Sequence, residues 1–222
     1  ALLQLSRCCG RLLFFNQRQL LRQQRRTQAL AERLHRLSRE DSLTGLANRR
    51  FFDEAFDREW RRCKRSRQPL TVMLVDVDRF KAYNDHYGHL QGDLCLQKLA
   101  AEFRRYSRRG GDLVARFGGE EFVLLYPETD EVEAQQLASR LCRSVRSLAI
   151  PHADNPEMQE VTVSVGAAMM IPGDRHSAGD LLEAADRALY LAKQGGRDDW
   201  RMYEAPPPVR LVKESKNDEG ER

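Results

Sequence analysis

Apolar residues recur along the chain with two different periods, which separate its predicted helices from its predicted strands. A spacing of three to four residues predicts amphipathic helices over 49–66, 80–87, 91–106, 131–148 and 178–193. Short apolar runs predict strands over 70–77, 113–117, 122–126, 161–170 and, at a sheet edge, 200–203. Because helices and strands alternate, we expect an α/β (α+β) fold with a central mixed sheet flanked by helices.

The same pattern predicts turns and buried faces. Gly118-Gly119 lies between two predicted strands, and a glycine pair there favours a tight β-hairpin because such turns need positive φ angles. We expect Leu94 to face the core from the helix over 91–106, and Val132 to do so from the helix over 131–148. Residues 150–159 contain two prolines and predict a loop, to which the sequence assigns no function.

Residues 11–40 contain neither glycine nor proline and are rich in good helix formers, so they predict a long helix. Residues spaced by seven give this helix moderate coiled-coil potential; they are Leu13, Leu20, Thr27 and Leu34, and Asn16, Gln23, Leu30 and Leu37. The alternative is a helix that packs on its own domain. The chain is therefore divided into an N-terminal signalling helix (1–40), a globular domain (41–204) and a charged tail expected to be disordered (205–222).

Positive charge is concentrated in the N-terminal segment. The whole chain has a formal net charge of +4, but residues 1–39 hold nine arginines and a single acid, Glu32. Such a basic stripe fits an upstream sensor, an acidic regulatory protein or an anionic membrane surface. A nucleic-acid partner is not expected, because the stripe contains no recognisable DNA-binding motif.

Cysteine usage and the lack of long apolar runs predict a cytoplasmic location. The five cysteines show no CxxC spacing, which favours a reducing compartment without disulfides or a zinc site. No run reaches the roughly 18 apolar residues of a membrane-spanning helix. Because the first residue is Ala1 rather than methionine, an upstream anchor could hold the domain at the cytoplasmic side of the inner membrane.

Two acidic clusters carry the candidate chemistry. Asp76 ends a buried strand, where a carboxylate is costly unless it is paired or binds a metal, and Glu120-Glu121 follows the hairpin turn. If the hairpin pairs beside the Asp76 strand, three carboxylates converge in a way that suits Mg²⁺. The candidate counter-charges for phosphate are Lys81, Lys193 and Arg197. Each feature alone has an ordinary structural explanation, so their spacing indicates only magnesium-dependent phosphate chemistry.

Short motifs follow one another from Asp41 to about Tyr203. They are Asp41-Ser42-Leu43-Thr44-Gly45-Leu46, Asp76-Val77-Asp78-Arg79-Phe80-Lys81, Asn84-Asp85, Gly88-His89, Gly92-Asp93, Arg116-Phe117-Gly118-Gly119-Glu120-Glu121-Phe122, Val163-Ser164-Val165-Gly166, Ala192-Lys193 and Gly196-Arg197. In this order they resemble the GGDEF family of diguanylate cyclases. The resemblance implies a fold similar to the palm of nucleotide polymerases, and the joining of two GTP molecules into cyclic di-GMP with release of two pyrophosphates.

The resemblance also implies how such an active site is built. Each subunit of a homodimer would hold one GTP, so the dimer consists of two half-sites. Two Mg²⁺ ions per active site, replaceable by Mn²⁺, would be bound by Asp76, the Val77 carbonyl, Glu120 and Glu121. Glu120, the first of the two catalytic acids Glu120 and Glu121, would activate the 3′-hydroxyl. The alternative is a degenerate GGDEF module that binds GTP or cyclic di-GMP without turnover.

Substrate and product contacts follow from the same resemblance. Gly118-Gly119 would let the nucleotide lie close over the hairpin, and Asn84 and Asp93 would read guanine. The other implied substrate-binding residues are Phe80 with its backbone amide, Lys81, His89, Lys193 and Arg197. Arg109-Gly110-Gly111-Asp112 fits a product-inhibition site with Arg109 and Asp112 as its key residues. Asp198 stands where relatives often have asparagine, and we expect it to weaken the phosphate contact of Arg197 slightly.

Overall fold

The computed structural model describes residues 39–156 and 158–204, which form one six-stranded mixed sheet with helices on both faces. The strands are β1 (Ala47–Asn48), β2 (Leu70–Val77), β3 (Leu113–Gly118), β4 (Glu121–Pro127), β5 (Val163–Met170) and β6 (Trp200–Met202). The helices are α1 (Arg49–Ser66), α2 (Phe80–Tyr87), α3 (His89–Arg104), α4 (Glu131–Arg146) and α5 (Ala178–Gln194). The predicted fold class is confirmed. The predicted N-terminal helix (up to Glu40) and the charged tail lie almost wholly outside the described residues, so the domain division stays a prediction.

β2 lies at the centre of the sheet, whose strand order is β1-β3-β4-β2-β5-β6. It pairs antiparallel with both of its neighbours, β4 and β5. The outer pairs, β1 with β3 and β5 with β6, are parallel. The end of β2 therefore lies between the turn of the β3–β4 hairpin and the start of β5, and three separate parts of the chain meet there.

Side chains of β2 alternate between two hydrophobic cores, as expected for a strand buried on both faces. Met73, Val75 and Val77 contribute to the core under α2, α3 and α4. Leu70, Val72 and Leu74 contribute to the core under α1 and α5. This alternation fixes the face on which each residue at the end of the strand emerges.

Helix α1 begins where its sequence provides a cap. The Asn48 side chain accepts a hydrogen bond from the Phe51 amide at 2.9 Å, which satisfies one of the free amides of the first turn. The helix buries Phe52, Phe56 and Trp60 against the sheet, as their spacing predicted. It ends at Arg67, whose φ of 54° is left-handed.

Two predicted core positions are wrong. Leu94 is 43% exposed and Val132 is 63% exposed. In α3 the buried stripe runs through Cys95, Leu99 and Phe103, and Leu94 lies off that stripe. The two-residue strand β1 was not predicted, because an element of that length shows no periodicity of its own.

Two further expectations concern cysteines and membranes. Cys63, Cys95 and Cys142 are free thiols, and all three are buried in the cores. Burial raises the pKa of Cys95 to about 11 and that of Cys142 to about 12, which keeps both thiols protonated. Among the described residues, no helix combines the length and apolar character needed to span a bilayer.

Candidate functional site

The candidate site lies at the end of β2, beside the turn of the β3–β4 hairpin. Asp76 is the register partner of Glu121 across the β2–β4 ladder, and the Val77 amide donates to the Glu120 carbonyl at 3.4 Å. Side chains of directly paired residues in an antiparallel ladder emerge on the same face. The acid at the end of β2 and the acidic turn are thus neighbours. The sequence predicted this only on the condition that the hairpin pairs beside the Asp76 strand.

Asp76 is a mostly buried carboxylate whose charge is balanced by one flexible cation. Its side chain is 14% exposed, and Lys193 Nζ, at the end of α5, lies 2.8 Å from Asp76 Oδ2. Burial raises the pKa of Asp76; Lys193 opposes that rise, and the nearby charges of Glu120 and Asp78 add to it. The end of β2 therefore carries more negative than positive charge, which favours the approach of a cation.

The three carboxylates do not form a closed metal group in this conformation. Among the described residues, no set of three His, Cys, Asp or Glu side chains is grouped closely enough to hold an ion. Lys193 occupies the cation position at Asp76, and Glu121 is exposed. The three carboxylates, which were expected to converge, instead form an open acidic edge. Mg²⁺ bound there would take further oxygen ligands from phosphate and water, as it commonly does.

The hairpin turn is held by Arg116, which the sequence placed in a motif without giving it a role. Its Nε and Nη2 donate to the Gly119 carbonyl at 2.9 and 2.7 Å, and its Nη1 donates to Asp41 Oδ1 at 3.2 Å. Burial would raise the pKa of Asp41, but hydrogen bonds from Thr44 and the Arg116 charge lower it below its usual value. The turn is thus fixed to the start of the domain by an ion pair that stays charged.

The two turn glycines leave the space above the hairpin open. A Cβ atom added at Gly118 or Gly119 would meet no protein atom within 4 Å. Gly119 has a φ of 50°, which L side chains adopt only with strain. The glycines therefore serve the turn and the access to its outer face rather than close packing within the domain.

Helix α2 begins directly after the acidic strand end. Its N-terminal flanking residue, Arg79, is left-handed with a φ of 55° and provides no side-chain cap. The amides of the first turn, including those of Phe80 and Lys81, have no partner within their own helix and can bind an anion. Lys81 is exposed on the same turn.

Asn84 and Gly92 pack together where α2 meets α3. A Cβ at Gly92 would lie 1.9 Å from Asn84 Oδ1, so only glycine permits the observed Asn84 position. Asn84 Oδ1 is buried and has no hydrogen-bond partner among the described residues. His89 and Asp93 are exposed on the first two turns of α3. An unpaired amide oxygen beside an exposed carboxylate is suited to a polar ligand edge.

Lys193 and Arg197 lie on either side of the end of α5. Arg197 is exposed, and within the described ranges its side chain makes no hydrogen bond or ion pair. Its φ of 64° places it in the left-handed region, in a tight turn after Gly196. Lys193 is thus paired with Asp76, whereas Arg197 has no side-chain partner among the described residues and lies in the turn whose next amide donates to Asp78.

Asp78 belongs to the same acidic motif but not to the open site. It is 2% exposed and accepts hydrogen bonds from Ser164 Oγ at 2.6 Å, Thr162 Oγ1 at 2.7 Å and the Asp198 amide at 3.0 Å. Its oxygens are therefore occupied by protein donors. This role was not predicted, and its only signal in the sequence is the pair of hydroxyl residues Thr162 and Ser164, spaced by two around the start of β5.

Arg109 and Asp112 lie in a separate cavity of about 340 Å³ between α3 and α4. Asp112 Oδ2 accepts from the Arg108 and Arg109 amides, and Arg109 Nη2 lies 2.6 Å from Glu133 Oε1. The sequence missed further arginines that line this cavity; they are Arg105, Arg108 and Arg140. Tyr126 Oη and Asp112 Oδ1, also at this cavity, are buried without partners among the described residues.

The site can be compared with known proteins. Residues 38–199 match the family described as "Diguanylate cyclase, GGDEF domain". The chain is 38% identical over 163 residues to the diguanylate cyclase DgcZ of Escherichia coli, covering 72% of this chain and 52% of DgcZ. Across the curated relatives it matches, the chain spans about a quarter to a half of their length.

Solved structures of GGDEF domains are also similar to this chain. The coiled coil and GGDEF domain of DgcB from Caulobacter crescentus, in complex with c-di-GMP, superposes with a TM-score of 0.73 at 29% identity, covering 80% of this chain and 92% of that one. The active GGEEF domain of a diguanylate cyclase from Vibrio cholerae superposes with a TM-score of 0.62 at 33% identity, covering 72% and 99%. On the match over most of its length and the shared fold, the chain belongs to the GGDEF diguanylate cyclase domain family.

Proposed function

We propose that this domain is an active diguanylate cyclase that condenses two GTP molecules into cyclic di-GMP and two pyrophosphates. One observation carries the proposal: Asp76 and the Glu120-Glu121 turn are paired at one end of the sheet, with Lys193 in contact with Asp76. The active GGEEF domain from Vibrio cholerae supports it, because Gly118–Phe122 spells the same signature.

The triphosphate would lie across the start of α2. The free amides near Phe80, together with Lys81, offer donors and positive charge to the phosphate oxygens. Arg197 is exposed and without a protein partner among the described residues, so its guanidinium is available for a bidentate phosphate contact. Lys193 would move from Asp76 to phosphate when a metal neutralises that carboxylate.

A divalent cation fits the acidic edge. Asp76, the Val77 carbonyl, Glu120 and Glu121 would hold it, and Mg²⁺ is the expected ion, two per active site, with Mn²⁺ as a substitute. When bound, it supplies positive charge against the developing charge of phosphoryl transfer. The surplus negative charge that helps to raise the pKa of Asp76 is the observation that supports this fit.

Guanine would be read where α2 meets α3. The unpaired Asn84 Oδ1 and the exposed Asp93 carboxylate can accept from the guanine N–H groups, which adenine does not offer in the same pair. His89, exposed at the start of α3, borders the same edge. Because adenine would leave these polar groups of the binding site without hydrogen-bond partners, discrimination against ATP should be strong.

Bond formation would need two copies of the domain. In each half-reaction the 3′-oxygen of one GTP forms a bond to the α-phosphorus of the other, and pyrophosphate leaves. Glu120 would accept the 3′-hydroxyl proton, with Glu121 as the second acid of the pair. One domain presents one such edge, so a homodimer of two facing half-sites completes the site.

The cavity around Arg109 and Asp112 would bind the product. Its arginines can pair with the phosphates of cyclic di-GMP and stack on its guanines. The DgcB neighbour is itself a c-di-GMP complex. Binding there would give product feedback inhibition by a site separate from the acidic edge. Arg109→Ala should then raise the concentration of cyclic di-GMP needed for half-inhibition, with little change in the initial rate.

The basic segment over 1–40 would couple an upstream signal to dimerisation. Because the site needs two half-sites, a helix that sets dimer geometry also sets the rate. The partner would be an upstream sensor, a regulatory protein or an anionic membrane surface, and the location cytoplasmic, in line with the free thiols of the described domain.

The proposal is tested by incubating the purified chain with GTP and Mg²⁺ and measuring cyclic di-GMP and pyrophosphate. We expect both products in a ratio of one to two, and loss of turnover in Glu120→Ala. Glu183→Ala removes an exposed acid of α5 that pairs with Arg187, and as the matched control it should keep full activity. GTP binding without cyclic di-GMP, at protein concentrations that favour dimers, would instead establish a binding module.

A further inference from the structure

The turn that carries Arg197 has an unfavourable backbone. Arg197 and Asp198 are consecutive non-glycine residues in the left-handed region, with φ angles of 64° and 46°. Such conformations persist only where the surrounding structure determines them, and they concentrate at functional sites. The position of Arg197 therefore depends on what fixes this turn.

Backbone hydrogen bonds fix one side of the turn. The Arg197 amide donates to the Ala192 carbonyl at 3.2 Å, and the Asp198 amide donates to the buried carboxylate of Asp78 at 3.0 Å. The Val165 amide donates to the Asp199 carbonyl at 2.9 Å, which begins the β5–β6 pairing. These bonds place the main chain, but they leave the Asp198 side chain to be placed by other contacts.

The Asp198 side chain forms an ion pair with helix α4. Arg146 Nε, in the last turn of α4, lies 3.4 Å from Asp198 Oδ1, with side-chain exposures of 38% and 15%. Helices α4 and α5 cover opposite faces of the sheet, so this pair joins the turn after α5 to the helix on the other face. The Asp198 carboxylate is thereby directed to Arg146, whereas the adjacent Arg197 makes no ion pair within the described ranges.

We propose that Arg146 is a positioning residue that holds the Asp198 carboxylate and so keeps Arg197 available to the triphosphate of GTP. This inference rests on the proposed function. A carboxylate next to Arg197 whose charge is less well balanced would attract that guanidinium more strongly and repel phosphate. The ion pair with Arg146 reduces both effects. The expected weakening of the Arg197 contact by Asp198 is therefore offset in this chain by an arginine more than 50 positions away.

The test is a double-mutant cycle on the full chain with Arg146→Gln, Asp198→Asn and the pair. Arg146→Gln should raise the KM for GTP about 3- to 10-fold with kcat changed less than twofold, as expected for loss of ground-state charge complementarity. Asp198→Asn alone should change KM little. The double variant should return to the KM of Asp198→Asn, because the released carboxylate is then absent.

Arg143→Gln is the matched control. Arg143 lies in the same last turn of α4, and within the described part of the chain its Nε donates to the Ser139 carbonyl of its own helix and forms no ion pair. It therefore shares the charge and the helix-end position of Arg146 without the ion pair. The melting temperature of each variant, measured by thermal unfolding, shows whether the variant is folded and how stable it is. A structural role alone would lower the melting temperature and would not be rescued in KM by Asp198→Asn.

The inference is overturned if Arg146→Gln leaves KM unchanged, or if the double variant binds GTP no better than Arg146→Gln. Calorimetric titration with GTP measures the same cycle without turnover. If the wild-type chain binds GTP but makes no cyclic di-GMP, the proposed cyclase activity fails while the affinity cycle still decides the role of Arg146. If the wild type does not bind GTP, both proposals fail.

Discussion

Replacement of Asp78 gives the sharpest test of how the end of β2 is held. Asp78 is almost fully buried and accepts three hydrogen bonds, from two hydroxyl groups and one backbone amide. A hydrogen bond to a charged group contributes about 1.5–3 kcal/mol to stability. In Asp78→Ala the hydroxyls can rotate to new partners, but the Asp198 amide cannot. We therefore expect a loss of about 3–5 kcal/mol in the free energy of unfolding.

Asp78→Asn should be much milder. Asparagine keeps the shape and one oxygen, which can still accept from Thr162 and from the Asp198 amide, both of which contact Oδ2. Its amino group would face Ser164 Oγ, which can turn to accept. Only the charge assistance is lost, so we expect a cost of about 1–2 kcal/mol.

Urea unfolding followed by circular dichroism measures both variants, since small domains usually unfold in one cooperative step. Asp85→Ala, the loss of an exposed acid on α2, serves as the control for net charge. The reasoning is refuted if Asp78→Ala lies within about 1 kcal/mol of the wild type, or if asparagine and alanine cost the same.

Three further predictions follow. Gly92→Ala should raise the KM for GTP about 10-fold, because the new Cβ would displace Asn84 Oδ1. Gly173→Ala, at a position with open space around it, is the control and should leave KM unchanged. Equal KM values for the two variants would contradict the assignment of Asn84 to guanine binding. Burial lowers the pKa of His152, so the imidazole binds a proton more readily in the unfolded chain than in the folded one. The melting temperature should therefore fall as the pH drops below 6.5. His152→Gln should show a shallower fall in the same pH series. Arg116→Lys should lower kcat and cost about 1–2 kcal/mol in urea, because one ammonium cannot hold both Gly119 and Asp41; a fully active, equally stable variant would refute the clamp.

Most of the fold could be predicted from periodicity, because buried side chains recur at every second residue in a half-buried strand and at every third to fourth residue in a helix. β2 shows this best, since it is buried on both faces and is apolar from Leu70 to Val75 apart from Thr71. Leu94 and Val132 were misplaced because a single apolar residue near the start of a helix does not define the phase of the buried stripe. Burial of that stripe is decided by what packs on it.

The long-range contacts of the site could not be predicted. Asp78 contacts Ser164 across 86 positions and Asp198 across 120, and Arg116 contacts Asp41 across 75. Local patterns contain no information on which distant donor meets a given acceptor. The proposed roles of the catalytic and binding residues follow from resemblance to a family, because their spacing alone indicates only magnesium-dependent phosphate chemistry.

Asp76 and Asp78 show why two acids of one motif are suited to different tasks. They are two positions apart, but β2 ends at Val77, so only Asp76 retains the regular strand face. The counter-charge of Asp76 is a single lysine side chain that can move away, so a ligand can replace it at little structural cost. The partners of Asp78 are a main-chain amide and hydroxyls within the core, which cannot leave without breaking the fold. A metal or substrate site needs exchangeable partners, whereas the support beneath it needs fixed ones. The nature of the partners, rather than the acid itself, therefore makes Asp76 the candidate for ligand binding and Asp78 the support beneath it.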